Sequence, residues 1–122
     1  MIIDLHLNGK LVLIVGAGNE ALKRIKLLEN EGCQIIVIGE KPNSKIIKLS
    51  KTKKIILKKI KLTSSLFLKK HKPFLVIAST TDLILNQKIV QTAKKMKILA
   101  YASDSPDSSD ISYLSLIDIK KI

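Results

Sequence analysis

Cysteine, arginine and aromatic residues are all scarce in this chain of 122 residues, and each scarcity closes off a class of function. Cys33 is the only cysteine, so the chain forms no internal disulfide and builds no thiolate metal cluster by itself. It follows Gly32 and precedes the apolar run "IIVI", a position that predicts a small buried hydrophobe. Arg24 is the only arginine, tryptophan is absent, and the aromatic side chains are two tyrosines and two phenylalanines. Base stacking and guanine readout have little to work with, so nucleic acid is a disfavoured partner. His6 and His71 lie far apart in polar contexts, and without His/Cys/Asp spacing suited to ligation no metal site is expected. No apolar stretch reaches the roughly 18 residues of a membrane-spanning helix, and the N-terminus runs into strand-like sequence without a signal-peptide pattern. No membrane partner is expected, and the expected location is cytoplasmic.

Lysine is what the chain has in abundance. Lys and Arg total 22 against 10 Asp and Glu, a formal net charge of +12 at pH 7. That balance favours polyanionic partners, among them small molecules bearing many carboxylates or phosphates. Lysine and isoleucine enriched together also follow from genome composition or a hot habitat, so charge alone names no ligand. The lysine-rich stretch from Lys51 to Lys72 reads as a solvated edge of strand and helix. With 46% hydrophobic residues, the length suits one core and one domain, 1–122.

The apolar pattern alternates between strand and helix. Leu11 to Val15 is continuous, apolar and rich in β-branched residues, as in a strand buried on both faces of a parallel sheet. Ala21, Leu22, Ile25 and Leu28 form a helical stripe, with Lys23, Arg24, Lys26 and Glu29 assigned to the wet side. Gly32 supplies a stop, Ile35 to Ile38 a second buried strand, and "GEKPNS" a turn. "KIIKLS" reads as a short helix, "KKIILKKI" as a third strand on the lysine-protected edge, and "LTSSLFLKKHKP" as a short helix capped by Thr63 or Ser64. Phe74 to Ala78 is a fourth buried strand. Leu85, Ile89, Val90, Ala93 and Met96 recur at helical spacing, and "KILAYA" is a fifth strand. The tail from Ser103 is an acid-rich loop followed by an alternation that fits one more short strand. The order βαβ(α)βαβαβ predicts an α/β fold, a Rossmann-type open doubly wound parallel sheet in a single domain.

Between the first strand and its helix, Gly16, Gly18 and Ala21 give G-x-G-x-x-A in the context that motif requires. Gly16 permits a sharp turn, Gly18 lets backbone approach a pyrophosphate, and the small Ala21 lets the helix pack close to the strand. The helix N-terminus adds free N–H groups and the positive end of a dipole. An acid is expected about 20 residues later to hold the ribose hydroxyls. Glu40 lies 19 residues after Ala21, separated from the strand by Gly39, so Glu40 and Lys41 are carried together as neighbours of the ribose. A 2′-phosphate calls for an arginine there, and its absence favours NAD over NADP, with Lys41 as the one feature pointing the other way. The plainer alternative is a tight strand-to-helix turn with no ligand.

Four stretches together resemble one family, the N-terminal NAD-binding domain of siroheme synthases, the precorrin-2 dehydrogenases. They are "LNGKLVLIVGAGNEALKRIKLL", "EGCQIIVIGEKP", "VIASTTDLILNQKIVQTAKKMKIL" and "YASDSPDSSDISYLSLI". The third resembles the family's Ala-Ala-Thr-Asp-Asp segment followed by an Asn that opens a helix, and the fourth its Asn-x-x-Asp-x-Pro stretch. The resemblance implies that Gly16, Ala17, Gly18, Asn19 and Glu20 sit against cofactor phosphates and ribose, and Glu40 and Lys41 by the adenosine. It places Ser79, Thr80 and Thr81 on the nicotinamide side. Asp104 matches the aspartate the family uses as its acid/base group. The implied reaction sends a hydride from precorrin-2 to NAD and releases a proton, giving sirohydrochlorin. Precorrin-2 is a polycarboxylate tetrapyrrole, which the positive charge would steer in.

The chain departs from the family pattern at several positions. Thr81 stands where the family usually has the first Asp of its pair, Tyr101 where it has Asn, and Leu114 and Ser115 where it has a Pro-Ala type pair. The family continues with a helical dimerisation region that completes the substrate site, and nothing in this sequence corresponds to it. A homodimer or a separate completing chain is therefore an expected partner. Asp104 also fits a turn role before Ser-Pro, and Asp107 and Asp110 share its loop. Some relatives insert metal into the product, an activity for which this sequence offers no ligand spacing. The alternative function is a non-catalytic NAD-sensing Rossmann regulatory module, although those modules usually carry an Asp at the tip of the second strand, where Gly39 approaches. A third, a basic nucleic-acid-binding domain, predicts binding that weakens steeply with salt.

Overall fold

The computed structural model describes residues 6–102. Along them run β1 (Leu11–Val15), α1 (Asn19–Leu28), β2 (Gln34–Ile38), α2 (Ser44–Lys51), β3 (Ile56–Lys58), α3 (Phe67–His71), β4 (Leu75–Ala78), α4 (Leu83–Lys95) and β5 (Leu99–Ala102). The strands form one sheet in the order β3-β2-β1-β4-β5, and all four ladders are parallel. The fold is the Rossmann-type α/β sheet that the strand and helix pattern predicted. The further strand expected beyond Ser103 lies outside the described residues.

The alternation of side chains along each strand divides the core into two layers. Val12 and Ile14 point to one face, where they pack with Ile25 and Leu28 of α1 and Ile46 of α2. Leu13 and Val15 point to the other, against Leu68 of α3 and Ile89 and Ala93 of α4. A strand covered on both sides cannot alternate with polar residues, which is why β1, β2 and β4 are apolar runs. Each fully buried Leu, Ile or Val contributes roughly 1.5–3 kcal/mol relative to exposure. At the sheet's margin β3 is only 3 residues long. Around it Lys51, Lys53, Lys54, Lys59 and Lys61 are exposed, as expected of a solvated edge.

Four local expectations are corrected. Arg24 is not on the wet side of α1: it is buried, with its guanidinium 5.1 Å from the centre of the Tyr101 ring and Nη2 3.6 Å from Glu20 Oε2. The helical period brings position 24 beside Ala21 and Leu28 on the core face, and the ring of β5 gives the cation a surface to stack on. Cys33 is half-buried, with Sγ 3.5 Å from the Leu28 carbonyl oxygen. Burial pushes its thiol pKa up, and the nearby charge of Glu31 adds to the shift. Neither Thr63 nor Ser64 caps α3, which starts after Leu66 with no side-chain cap. Ser65 instead bonds Thr92 of α4 through their hydroxyls at 2.6 Å. Finally, α2 starts at Ser44, within the expected turn, because Asn43 caps it by accepting from the Lys45 N–H at 2.8 Å.

Among the described residues no helix is long and apolar enough to cross a membrane, and no cluster of His, Cys, Asp and Glu is arranged to hold a metal ion. The central and edge strands should respond differently to truncation. Ile77→Ala, at a fully buried position of β4, is expected to lower unfolding free energy by about 2–5 kcal/mol in urea titration. Ile56→Ala, at a position 45% exposed, should change it by no more than about 0.5 kcal/mol.

Candidate functional site

The sheet order reverses at β1. From there β2 and β3 extend one way and β4 and β5 the other, so the connections after β1 and β4 diverge and leave a crevice at the strands' carboxyl ends. That crevice is a cleft of about 590 Å³, within the roughly 300–1,000 Å³ typical of small-molecule and cofactor sites. Its floor is the segment from Val15 to Glu20. One wall is built from Ile38, Gly39, Glu40, Lys41, Ile60, Lys61 and Leu62, and the other from Ser79, Thr80, Thr81, Asp82 and Leu85. All ten residues expected near a cofactor, Gly16 to Glu20, Glu40, Lys41 and Ser79 to Thr81, therefore line one cleft. Asp104 lies outside the described residues, as do Asp107 and Asp110.

The floor is drawn tight by backbone hydrogen bonds. Gly16 N–H donates to the Ile38 carbonyl at 2.7 Å, and Asn43 N–H donates to the Ala17 carbonyl at 2.8 Å. Ser79 donates to the Val15 carbonyl through both its N–H, at 2.8 Å, and its hydroxyl, at 2.9 Å. Gly16 has φ +105°, and a Cβ there would lie 2.6 Å from the Ser79 carbonyl oxygen. Only glycine meets both conditions. Gly39 is tight for lack of space alone: a Cβ on it would lie 2.6 Å from that of Ala17, while its N–H donates to the Lys58 carbonyl at 3.0 Å. In the sequence Gly39 reads as a spacer before Glu40; in the fold it makes room for the glycine loop.

Gly18 behaves differently. A Cβ on it would meet nothing within 4 Å, so the backbone there borders open space. It is the N-cap of α1 and offers no side-chain acceptor to the first-turn N–H groups, which need an acceptor from elsewhere. Asn19 is oriented by Asn43, whose side-chain amide donates to its Oδ1 at 2.9 Å. Glu20 brings a carboxylate to the same turn, with Lys23 at 3.4 Å and Arg24 at 3.6 Å facing its two oxygens. The Arg24 side of that group is desolvated, so its charge offsets the acid more than an exposed pair would.

On the opposite wall Thr80 is braced by Asn86, a fully buried side chain. Asn86 Oδ1 accepts from the Thr80 N–H at 3.2 Å and from its hydroxyl at 2.6 Å, and Nδ2 donates to the Thr80 carbonyl at 3.0 Å. Asp82 caps α4 by accepting from the Leu85 N–H at 3.1 Å. Asn86 does not open the helix; it sits inside α4 and reaches back over the first turn. Its partner was not evident from sequence, where a buried polar residue inside an apolar stripe was the available signal. The Ile60 to Leu62 wall was also missed, hidden in a lysine-rich stretch. His71 does not line the cleft; burial, then the charges of Lys58 and Lys70, hold its pKa below the usual histidine value.

Two substitutions test this construction. Gly16→Ala should destabilise the fold by about 1–3 kcal/mol, since backbone must shift to admit the methyl group. Asn86→Ala removes the partner of the Thr80 N–H and carbonyl, while the hydroxyl keeps Asp82, and should cost about 1–3 kcal/mol. Both are read from thermal or urea unfolding.

The chain is similar to known proteins along most of its length. The profile of the NAD(P)-binding family matches residues 3–115. The siroheme synthase of Nitrosococcus oceani is 27% identical over 116 residues, covering 95% of this chain and 24% of that protein. The precorrin-2 dehydrogenase of Bacillus subtilis is 26% identical over 103 residues, covering 84% of this chain and 62% of that protein. The solved structure of SirC, a precorrin-2 dehydrogenase, superposes with a TM-score of 0.65 at 27% identity, over 73% of this chain and 43% of that one. The chain thus spans about a quarter of the siroheme synthase and less than two thirds of either dehydrogenase. With its fold, its glycine-lined cleft and a profile match over nearly its whole length, the chain belongs to the NAD(P)-binding family, and its relatives are siroheme synthases and precorrin-2 dehydrogenases.

Proposed function

We propose that this chain is the NAD-binding domain of a precorrin-2 dehydrogenase, which oxidises precorrin-2 to sirohydrochlorin in siroheme synthesis. The observation that carries the reading is the convergence of three separated stretches, Gly16 to Glu20, Glu40 with Lys41, and Ser79 to Thr81, on one cleft at the reversal of strand order. The residues present suit a dinucleotide. Gly18 leaves open space beside the helix start, and Gly39 and Gly16 keep the loop low enough for a phosphate to approach.

When bound, NAD supplies the hydride acceptor. The chain's own groups do the rest: first-turn N–H groups of α1 hold the pyrophosphate, and Glu40 accepts from the ribose hydroxyls, which favours NAD. Ser79, Thr80 and Thr81 border the nicotinamide, with Thr80 fixed in place by Asn86. Asp104 takes the proton released by the macrocycle, a role that rests on the family resemblance. The lysine excess draws in the polycarboxylate substrate. Residues 1–122 act as one domain, and a homodimer is the assembly this reading favours.

The test mixes the protein with precorrin-2 and NAD and follows NADH absorption together with the sirohydrochlorin spectrum. Both should rise with time, and Asp104→Ala should slow them by about 100-fold or more while leaving NAD affinity unchanged. NAD binding without turnover would favour the sensing-module alternative, and an unaltered rate in the variant would remove Asp104 from the mechanism. Absence of NAD binding would overturn the proposal.

A further inference from the structure

Charge is not spread evenly along the chain. From residue 41 to residue 81 there are twelve lysines and no Asp or Glu, while the other residues carry ten basic and ten acidic groups. The whole net charge of +12 therefore belongs to one third of the sequence, a segregation beyond a general enrichment in lysine. The fold gathers that third at one margin of the sheet. There β3 is the edge strand, α2 packs into one core layer through Ile46, and α3 packs into the other through Leu68. Eleven of the twelve lysines are exposed, and among the described residues none of the twelve is in an ion pair. Of the twelve, Lys41 and Lys61 line the cleft, so a ligand held there leaves the other ten unused.

On the α3 side the lysines stand among exposed apolar side chains. Partners in a parallel ladder point to the same face, and Ile56 and Lys58 pair with Ile36 and Ile38, which share their core layer with Leu68. Lys58 of β3 and Lys70 of α3 both act on the charge of His71, so strand and helix bring their ammonium groups to one place. Ile56 is 45% exposed, and Leu66, just before α3, is 65% exposed. A phosphodiester backbone offers aliphatic side chains nothing to bury against, and the segment has no arginine to read base edges. Protein interfaces are depleted of lysine. Lysines beside protruding aliphatic groups match a lipid surface, where charged headgroups and the acyl boundary lie within about 10 Å of each other. We propose that the α3 face of the β3 margin docks on an anionic lipid bilayer, with Ile56 and Leu66 entering the interface and Lys58, Lys69 and Lys70 meeting the headgroups. The expectation of no membrane partner concerned spanning segments, and surface docking needs none.

The full chain is sedimented at low ionic strength with vesicles of phosphatidylcholine alone and of phosphatidylcholine with about 30% phosphatidylserine. Binding to the mixed vesicles should be at least about tenfold tighter and should fall as salt is added. Lys69→Gln combined with Lys70→Gln should weaken it by about 25-fold, or about fivefold for each lysine. Leu66→Ala should weaken it by about fivefold. The same charge change on the other face of the sheet, Lys45→Gln combined with Lys48→Gln in α2, should weaken it by less than about threefold. All these positions are exposed, and an unchanged circular dichroism spectrum in each variant reports an intact fold. Equal losses in the two double variants would overturn the proposal, because binding would then follow total charge and no particular face. So would failure to bind the mixed vesicles, equal affinity for both kinds, an unaltered affinity in Leu66→Ala, or tighter binding to double-stranded DNA. None of these outcomes bears on NAD binding in the cleft.

Discussion

The close approach of three strand ends governs this molecule. After β1 the chain has to turn while touching the end of β2 through Gly16 N–H and Ile38 carbonyl, and the end of β4 through Val15 carbonyl and Ser79. No room is left for a side chain at Gly16 or Gly39. That tightness keeps the loop low, brings α1 up to the strand through Ala21, and leaves the helix start facing an open crevice. Packing and ligand space come from the same contact. The parallel ladders on either side of β1 hold it in place, because its buried side chains anchor both core layers at once.

Charge is distributed in a way that serves this geometry. Among the described residues two polar side chains are buried, and both link elements: Arg24 joins α1 to Tyr101 on β5, and Asn86 joins α4 to the loop after β4. Each sits behind the lining of the cleft and fixes a residue of it, Glu20 on the floor in one case and Thr80 on a wall in the other. Buried groups of this kind are costly when a partner is lost and so hold their surroundings to one arrangement. Most of the described lysines, by contrast, are exposed around β3 and the helices, where their charge acts over a long range.

Much of this was legible in the sequence because it depends on patterns within a few residues. The five strands and the doubly wound order follow from apolar runs such as "LVLIV" and "FLVIA", and the floor of the cleft from glycines at fixed spacing after the first of them. Of the walls, Glu40 and Lys41 follow from their spacing after the glycine motif, Ser79 to Thr81 from the resemblance, and Ile60 to Leu62 only from the fold. Arg24 looked like a solvent-facing cation because its partner, Tyr101, lies 77 residues away. Gly39 looked like a spacer because the backbone it accommodates belongs to another loop. Lys61 looked like edge decoration because the short β3 gives no hint that its exit turns over β2. In each case the deciding neighbour is distant in sequence, and local periodicity carries no information about it.

The most direct measurement is nuclear magnetic resonance of the amide groups during titration with NAD. A pyrophosphate held at the start of α1 predicts large, saturable shifts of the Gly18, Asn19 and Glu20 amides, with smaller ones at Gly39 and Thr80 and none on the outer turn of α4 at Lys94. Shifts scattered over the exposed lysine surface, or a glycine loop that does not respond while NAD is bound elsewhere, would contradict a cleft built for a dinucleotide.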